Sequence, residues 1–281
     1  MSERARVTLA SPSAALSGVG LHSGADASVR LLPAPPGTGL VFRRRSDGQE
    51  IPALAANVFE TTRCTRLRAN GCEVQTVEHL LSALAGLGVD DAILEIDGPE
   101  VPAMDGSAGP FAALIQAAGT KKQSVSVSPV VLTRPVFVSS GSSTLAALPS
   151  THFSASVVLD YPRHPYLGTL AAVYDSVPGT YADQIAPART FGFLSEIEAL
   201  RAKGLGLGAS FTNALVLGET RYEIPPRFSN EPARHKLLDL IGDLALIGRP
   251  LCAEILAVRP GHTLNVRLAE LLSGPAADIV P

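Results

Sequence analysis

The segment from Glu231 to Asp243 carries the most suggestive spacing in this 281-residue chain. Its sequence, EPARHKLLDLIGD, has a proline where the first turn of a helix accepts one. At about 100° per residue, the leucines and isoleucine form one apolar face, and His235, Asp239 and Gly242 lie together on the opposite face. A histidine and an aspartate four residues apart on a helix can bind one cation, so the segment predicts half of a metal site.

A pair of this kind also occurs on helix faces that are simply solvated, and the pair alone favours that reading. Leu238 and Leu246 flank the polar face, however, which indicates a helix buried on most sides. A buried aspartate without a cation or a hydrogen-bond partner is costly. The flanking leucines therefore favour the metal site.

A catalytic zinc site needs a third protein ligand and an open position for water. His79 is the best candidate, and the adjacent Glu78 could take a proton from the water. By themselves, Glu78 and His79 could instead be a helix-start pair placed favourably for the helix dipole. His262 follows Gly261 just before the last predicted helix and could act as a general acid for a leaving amine.

The glycine-rich and cysteine motifs of the sequence do not fit a cofactor or zinc site. The glycine-rich segment Gly18–Gly24 precedes a strand pattern, whereas a dinucleotide site needs a helix there. The glycines of 204–208 follow a predicted helix and fit its cap. Cys64, Cys72 and Cys252 lack the spacing of a zinc set and form no C-x-x-C pair.

Composition limits the class of protein. Hydrophobic residues make up 46% of the chain and charged residues 17%, which excludes disorder as the main state. The net charge of −3 makes nucleic acid an unexpected partner. No apolar run at the N-terminus fits a signal peptide, and the longest uncharged stretch, Pro135–Leu159, is too polar for a membrane span. With an odd number of cysteines, the chain is expected to be cytoplasmic.

Hydrophobic periodicity predicts strands and helices in both halves of the chain. In the first half it predicts two strands within Gly18–Arg45, a helix over Val74–Leu87 with Thr76 as N-cap, a strand at Ala92–Ile96 and a helix over Pro110–Ala118. In the second half it predicts strands near 130–138, 153–159 and 253–259, and helices over 195–203, 232–247 and 263–272.

The polar segment Thr120–Pro129 predicts a domain boundary, which divides the chain into residues 1–124 and residues 125–281. Strands mixed with helices in each part predict two α+β domains, each a sheet covered by helices. No sequence identity between the halves is apparent, and no repeat is predicted.

Six motifs in order along nearly the whole chain carry a resemblance to a known family. They are Ser17–Gly24, Thr76–Gly88, Pro102–Phe111, Ala188–Phe193, Arg234–Asp243 and Gly261–Asn265. Together they resemble the zinc-dependent UDP-3-O-acyl-N-acetylglucosamine deacetylases of lipid A biosynthesis. The resemblance implies two β-α-α-β sandwich domains, with helices packed between the domains and the active site at their junction. It also implies hydrolysis of the N-acetyl group of UDP-3-O-acyl-N-acetylglucosamine, which releases acetate.

The resemblance further assigns roles to residues of the catalytic site. His79, His235 and Asp239 would bind Zn²⁺, although Fe²⁺ could occupy the same ligands. Glu78 would be the general base and His262 the cationic acid. The supporting roles fall on four more residues: Asp243 would orient His262, Thr190 would hold the oxyanion, Lys236 would meet substrate oxygens or the diphosphate, and Phe191 would line the cleft.

Substrate contacts are also implied by the resemblance. His22, Tyr161 and Arg259 fall where the family handles the UDP group, Glu196 is a further substrate contact, and residues 192–216 stand where the acyl-chain insert belongs. Three of these depart from the family pattern: Tyr161 replaces a more usual Phe, Arg259 a more usual Lys, and Glu196 an Asp of some members.

Arg63 and Arg66 stand at positions that are often less basic in the family, which could alter the mouth of the substrate cleft. A monomer without a transmembrane segment is expected. Two alternatives stay open: a zinc amidase acting on a different acylated sugar nucleotide, and a non-catalytic glycolipid-binding relative.

Overall fold

The computed structural model describes residues 3–177 and 180–274, which form strands and helices in alternation. The strands of the first half are β1 (Arg4–Leu9), β2 (Ala15–Val19), β3 (Asp26–Pro33), β4 (Leu40–Arg44), β5 (Glu50–Pro52), β6 (Val58–Glu60), β7 (Arg66–Ala69), β8 (Cys72–Gln75), β9 (Ala92–Asp97) and β10 (Thr120–Val127). Those of the second half are β11 (Val130–Val131), β12 (Val136–Ser140), β13 (Ser143–Pro149), β14 (Ser154–Asp160), β15 (Thr169–Asp175), β16 (Phe191–Phe193), β17 (Leu215–Leu217) and β18 (Leu251–Val258).

The helices of these residues are α1 (Glu78–Gly86), α2 (Gly109–Ala118), α3 (Thr180–Gln184), α4 (Ile197–Ala202), α5 (Glu231–Leu244) and α6 (His262–Ser273). Short 3₁₀ turns cover Ala55–Asn57, Leu194–Glu196 and Ala245–Ile247. None of the helices in the described part of the chain is both long and apolar enough to cross a lipid bilayer.

The two halves share one sheet topology. The first sheet has the strand order β2-β3-β9-β4-β5, and the second has β12-β13-β18-β14-β15, with β11 added beside β18. In each five-strand path one pair is parallel, β4 with β9 and β14 with β18, and the other pairs are antiparallel. Each half therefore runs four strands, a helix, a fifth strand and a last helix. The predicted α+β class is confirmed, and the structure adds an internal repeat that the sequence did not reveal.

Each half carries an insert at the same point, between its fourth strand and its first main helix. The first insert is the three-stranded sheet β6-β7-β8, and the second contains α3, α4 and the parallel pair β16-β17. Because the insertion point is equivalent, both inserts emerge near the helices α1 and α5. They supply walls to one cleft, as described below.

The helices α1 and α5 pack against each other with their backbones in close contact. A Cβ atom on Gly242 of α5 would lie 2.0 Å from the carbonyl oxygen of Glu78 in α1, so only glycine permits this approach. Leu80 and Leu81 of α1, and Leu240 of α5, are fully buried in a core shared by both halves. Burying such side chains contributes about 1.5–3 kcal/mol each, which stabilises the contact that positions the site.

The structure differs from the sequence-based expectation at Thr76 and at the segment Thr120–Pro129. Thr76 is not the N-cap of α1, because its backbone adopts a φ of 58° and its hydroxyl donates to Glu100 over 2.7 Å. Val77 occupies the cap position instead. The polar segment expected at the domain boundary forms β10, which pairs antiparallel with β1. The boundary between residues 124 and 125 falls within this strand, and the division into two domains stays a prediction.

Candidate active site

The polar face predicted for α5 exists, and it is buried. His235 is 2% exposed and Asp239 is 1% exposed. The Nε2 atom of His235 lies 3.3 Å from Oδ1 of Asp239, and Nε2 of His79, from α1, lies 3.6 Å from the same oxygen. Ligands of a tetrahedral zinc, each about 2.1 Å from the ion, lie roughly 3.4 Å apart. The spacing of the three side chains therefore fits one divalent cation.

The donor atoms also have the chemistry that a cation requires. Oδ1 of Asp239 is buried without a hydrogen-bond partner among the described residues, which would be costly unless a positive charge compensates it. Nδ1 of His235 lies 3.0 Å from the carbonyl oxygen of Ala188, where it donates and leaves Nε2 with a free lone pair. Burial and the neighbouring His235 lower the pKa of His79 to about 3, so His79 is neutral and able to coordinate.

A second set of potential ligands, Glu78, Asp239 and His262, lies beside the first. In this second set the potential ligand atom of Asp239 is Oδ2, which is 3.9 Å from Nε2 of His262. That oxygen already accepts a hydrogen bond of 2.7 Å from Nζ of Lys236, which compensates its charge. The uncompensated Oδ1 faces His79 and His235, so these two histidines and Asp239 form the better cation site.

Glu78 and His262 face each other across the mouth of the cation site. Nε2 of His262 lies 3.8 Å from Oε1 of Glu78, while Nδ1 lies 2.9 Å from Oδ2 of Asp243. Burial lowers the pKa of His262, but the carboxylates of Asp243 and Glu78 outweigh that effect and raise the pKa to about 9. Burial raises the pKa of Glu78 to about 8. A raised pKa makes the carboxylate form of Glu78 a stronger proton acceptor than an ordinary glutamate, and the raised pKa of His262 keeps its imidazole charged and able to give up a proton.

An open cleft of about 480 Å³ lies over these groups. Besides them, its walls include the predicted site residues His22, Thr190, Phe191, Lys236 and Arg259. Thr190 and Phe191 are placed by their neighbour Arg189, whose buried side chain pairs with Glu231 at the start of α5 over 2.9 Å. The ring of Phe191 then packs edge-on against His235, with centroids 6.1 Å apart.

Three predicted substrate contacts, His22, Arg259 and Glu196, each pair with a residue of an insert or of the second half. His22 is buried beside the second insert, where its Nδ1 accepts the N–H of Gly206 over 3.3 Å. Arg259 donates to Asp160 over 2.6 Å. Glu196 forms an ion pair of 2.9 Å with Arg63, which joins the two inserts across the cleft.

Tyr161 contributes to an aromatic cluster behind the cleft wall. Its ring lies edge-on to Phe191 and Phe193, at centroid distances of 6.4 and 5.6 Å. Most of the sequence-predicted set thus lines one cleft, whereas Tyr161, Asp243 and Glu196 contact residues that line it.

Sequence reasoning missed several residues that support the site. Thr65 and Asn265 both donate to Asp243, over 2.6 and 2.9 Å. Glu100 is fully buried and accepts the backbone N–H groups of His22 and Ser23, which fixes the loop carrying His22. No spacing in the sequence connects these residues to their partners, because they lie up to 178 residues apart.

The arrangement suits hydrolysis of an acyl compound. A cation site opens next to a carboxylate that can accept a proton and an imidazolium that can donate one. All three stand at the base of a cleft that is wide enough for a substrate.

Comparisons with known proteins agree with this chemistry. The family model described as LpxC: UDP-3-O-acyl N-acetylglycosamine deacetylase matches residues 6–273. A UDP-3-O-acyl-N-acetylglucosamine deacetylase of Myxococcus xanthus is 44% identical over 274 residues, which cover 95% of this chain and 87% of the relative. Proteins of the same description from Saccharophagus degradans and Pseudomonas entomophila are 45% and 46% identical, and each match covers 91% of this chain and 86% of the relative. The chain therefore belongs to the UDP-3-O-acyl N-acetylglycosamine deacetylase family.

Proposed function

We propose that this protein hydrolyses the N-acetyl group of UDP-3-O-acyl-N-acetylglucosamine, giving UDP-3-O-acyl-glucosamine and acetate, the committed step of lipid A biosynthesis. The observation that carries the proposal is the buried, unpartnered Oδ1 of Asp239 facing Nε2 of His79 and of His235, with Glu78 next to them. Family membership supports the substrate.

A divalent cation on His79, His235 and Asp239 would polarise the amide carbonyl and lower the pKa of a water. Glu78 would take a proton from the attacking water as the water oxygen bonds to the carbonyl carbon. When the C–N bond breaks, His262 gives a proton from Nε2 to the departing amine. Asp243 holds Nδ1 of His262 and stabilises the imidazolium before the transfer.

Thr190 and Lys236 complete the surroundings of the reacting carbonyl. Thr190 lines the cleft, and its hydroxyl would donate to the oxyanion of the tetrahedral intermediate. Lys236 neutralises Oδ2 of Asp239 and presents a positive charge to substrate oxygens or to the diphosphate. Phe191 packs on His235 and forms the apolar wall beside the acetyl group.

The UDP group and the acyl chain would occupy the two ends of the cleft. His22, Tyr161 and Arg259 would handle the UDP group, and Glu196, which lies within the second insert, would be a further substrate contact. The acyl chain would follow the second insert, residues 192–216, where three apolar side chains are about half exposed. These are Leu194, Leu207 and Phe211, at 47%, 52% and 55%. An apolar chain lying against them would remove this surface from water.

Zinc is the proposed cation, because two imidazoles and one carboxylate in tetrahedral spacing suit it, and iron(II) accepts the same ligands. A cytoplasmic location is proposed because all three cysteines are free thiols. A monomer is proposed because one chain supplies the cation ligands and both proton-transfer groups.

The test is release of free amine from UDP-3-O-acyl-N-acetylglucosamine by the purified protein, before chelation, after chelation and after zinc is restored. Activity that chelation removes and zinc restores supports the proposal. Glu78→Ala should keep the zinc and lose turnover, whereas full activity of that variant would refute the mechanism. If zinc binds at one per chain but no amine appears, the substrate is a different acylated sugar nucleotide. If the protein binds the glycolipid without turnover, it is a non-catalytic relative.

A further inference from the structure

Thr65 occupies a position between the two proton-transfer groups, although it belongs to neither of their helices. It lies just before β7, on the loop of the first insert, and its side chain is fully buried. Its backbone N–H donates to Oε2 of Glu78 over 3.0 Å. Its hydroxyl donates to Oδ1 of Asp243 over 2.6 Å. The same hydroxyl oxygen lies 3.4 Å from Nδ1 of His262, which is closer to Asp243, at 2.9 Å. One residue of the first half therefore contacts the base, the acid and the partner of the acid.

The hydroxyl of Thr65 completes the hydrogen bonding of Asp243. Oδ2 of that carboxylate accepts from Nδ1 of His262 and from Nδ2 of Asn265, each over 2.9 Å. Without Thr65, Oδ1 would lose its donor, and the carboxylate could rotate about its last bond. A rotated Asp243 would no longer keep Nε2 of His262 aimed at the cleft.

The loop that carries Thr65 is tied to the acid at a second point. The hydroxyls of Thr61 and Thr263 lie 2.8 Å apart, and Thr263 directly follows His262 at the start of α6. The loop backbone also accepts from the N–H of Val77, next to Glu78, over 3.4 Å. The first insert is thus anchored on both sides of the reacting centre.

We propose that Thr65 is a positioning residue for the reaction: its hydroxyl fixes Asp243, and Asp243 in turn holds His262 where it protonates the leaving amine. This inference rests on the proposed function. A hydroxyl with a purely structural role would contribute to the free energy of unfolding but would leave the turnover of the folded enzyme unchanged. The two roles are separated by comparing kcat with thermal stability.

The experiment uses the full-length zinc enzyme and the substrate named above. Thr65→Val keeps the shape of the side chain and removes its hydroxyl, and kcat should fall about 10- to 100-fold with KM and zinc content unchanged. Thr65→Ser keeps a hydroxyl and should restore kcat to within about threefold of the wild type. Thr62→Val is the matched control, because its hydroxyl is exposed and, among the residues that the structure describes, bonds only to Glu60 in the same loop.

A double-mutant cycle shows whether Thr65 acts through Asp243. Thr65→Val should lower kcat no further in an Asp243→Asn background, since the group that it positions is already altered. If the valine variant does not fold, Thr65→Cys, which carries a weaker donor of similar size, takes its place with the same expected loss.

The inference would be overturned if kcat of Thr65→Val stayed within twofold of the wild type, or if the losses multiplied independently in the double variant. An equal loss in the serine variant would also overturn it, because the hydroxyl would then not be the cause. Wild-type protein without deacetylase activity would instead refute the proposed function, and the inference with it.

Discussion

Replacement of Gly242 by alanine should disable the cation site without touching any of its ligands. The added Cβ would lie 2.0 Å from the carbonyl oxygen of Glu78, whereas ordinary contacts begin at 3.4 Å. The carbonyl oxygen belongs to the backbone of α1 and the Cβ atom is fixed directly to the backbone of α5, so neither can rotate away, and α1 must move from α5 by about 1.4 Å. Overpacking of this size costs about 1–3 kcal/mol of unfolding free energy.

The displacement acts directly on coordination, because His79 belongs to α1 and the other two ligands belong to α5. Metal–ligand distances tolerate about 0.2 Å. A misplacement of 1 Å can cost about 10²-fold in rate. We therefore expect zinc affinity to fall at least about 10-fold and kcat about 100-fold.

The assay is zinc retention against a competing chelator, followed by amine release, with circular dichroism to show that the variant is folded. Gly274→Ala is the control, since it lies at the end of α6 and a Cβ there meets no atom of the described residues closer than 3.8 Å. A folded Gly242→Ala enzyme with wild-type zinc affinity and wild-type turnover would refute the argument that helix contact sets the ligand spacing.

Three further predictions concern stability. Removal of the cation by dialysis against a chelator should lower the melting temperature of the wild type but not that of Asp239→Asn, because the variant has an uncharged amide in place of the buried carboxylate. Equal shifts in the melting temperatures of the two proteins would contradict the proposal that Asp239 is a ligand. Burial raises the pKa of Glu231, but hydrogen bonds from Arg189 outweigh this effect and lower the pKa below its ordinary value. The contribution of this pair to the free energy of unfolding is therefore complete above the ordinary pKa of a glutamate. It is lost as the pH falls through the pKa of Glu231 in the folded protein. In urea unfolding the advantage of wild type over Glu231→Gln should shrink between pH 7 and pH 3.5, and a difference independent of pH would disprove the coupling. Tyr181→Phe removes the buried hydrogen bond of 2.8 Å to Ser82 and should lower the free energy of unfolding by about 1 kcal/mol, measured in urea. An unchanged free energy of unfolding would show that this hydroxyl does not stabilise the fold.

Long periodic segments of the sequence predicted the elements that matter most. The helices α1, α2, α5 and α6, and strand β9, lie within a few residues of their predicted bounds because each buries a regular apolar face. The strands of both inserts were missed, since several are only three or four residues long and show no clear alternation. The prediction of Thr76 as N-cap was wrong because its hydroxyl donates to Glu100, a residue distant in sequence, whereas an N-cap hydroxyl accepts from a backbone N–H of the helix.

In the candidate site, too, contacts within one helix could be predicted from the sequence, whereas contacts between distant segments could not. The geometry of His235 and Asp239 follows from helix periodicity, and the structure places the two side chains as that periodicity requires. The approach of His79 depends on packing between helices more than 140 residues apart, for which the residues alone offered only a candidate. Thr65 carried no signal, because its role arises from a contact that exists only in the folded chain.

The shared topology of the two halves has a consequence for the order in which this chain folds. Each five-stranded sheet can form from residues of its own half, whereas the cation ligands meet only after α1 docks on α5. Contacts between residues far apart in sequence pay a large loop-closure entropy and tend to form late. We therefore expect zinc capture to mark the final step of refolding. A spectroscopically visible substitute such as cobalt(II) would then report the arrival of the native state rather than the formation of either sheet.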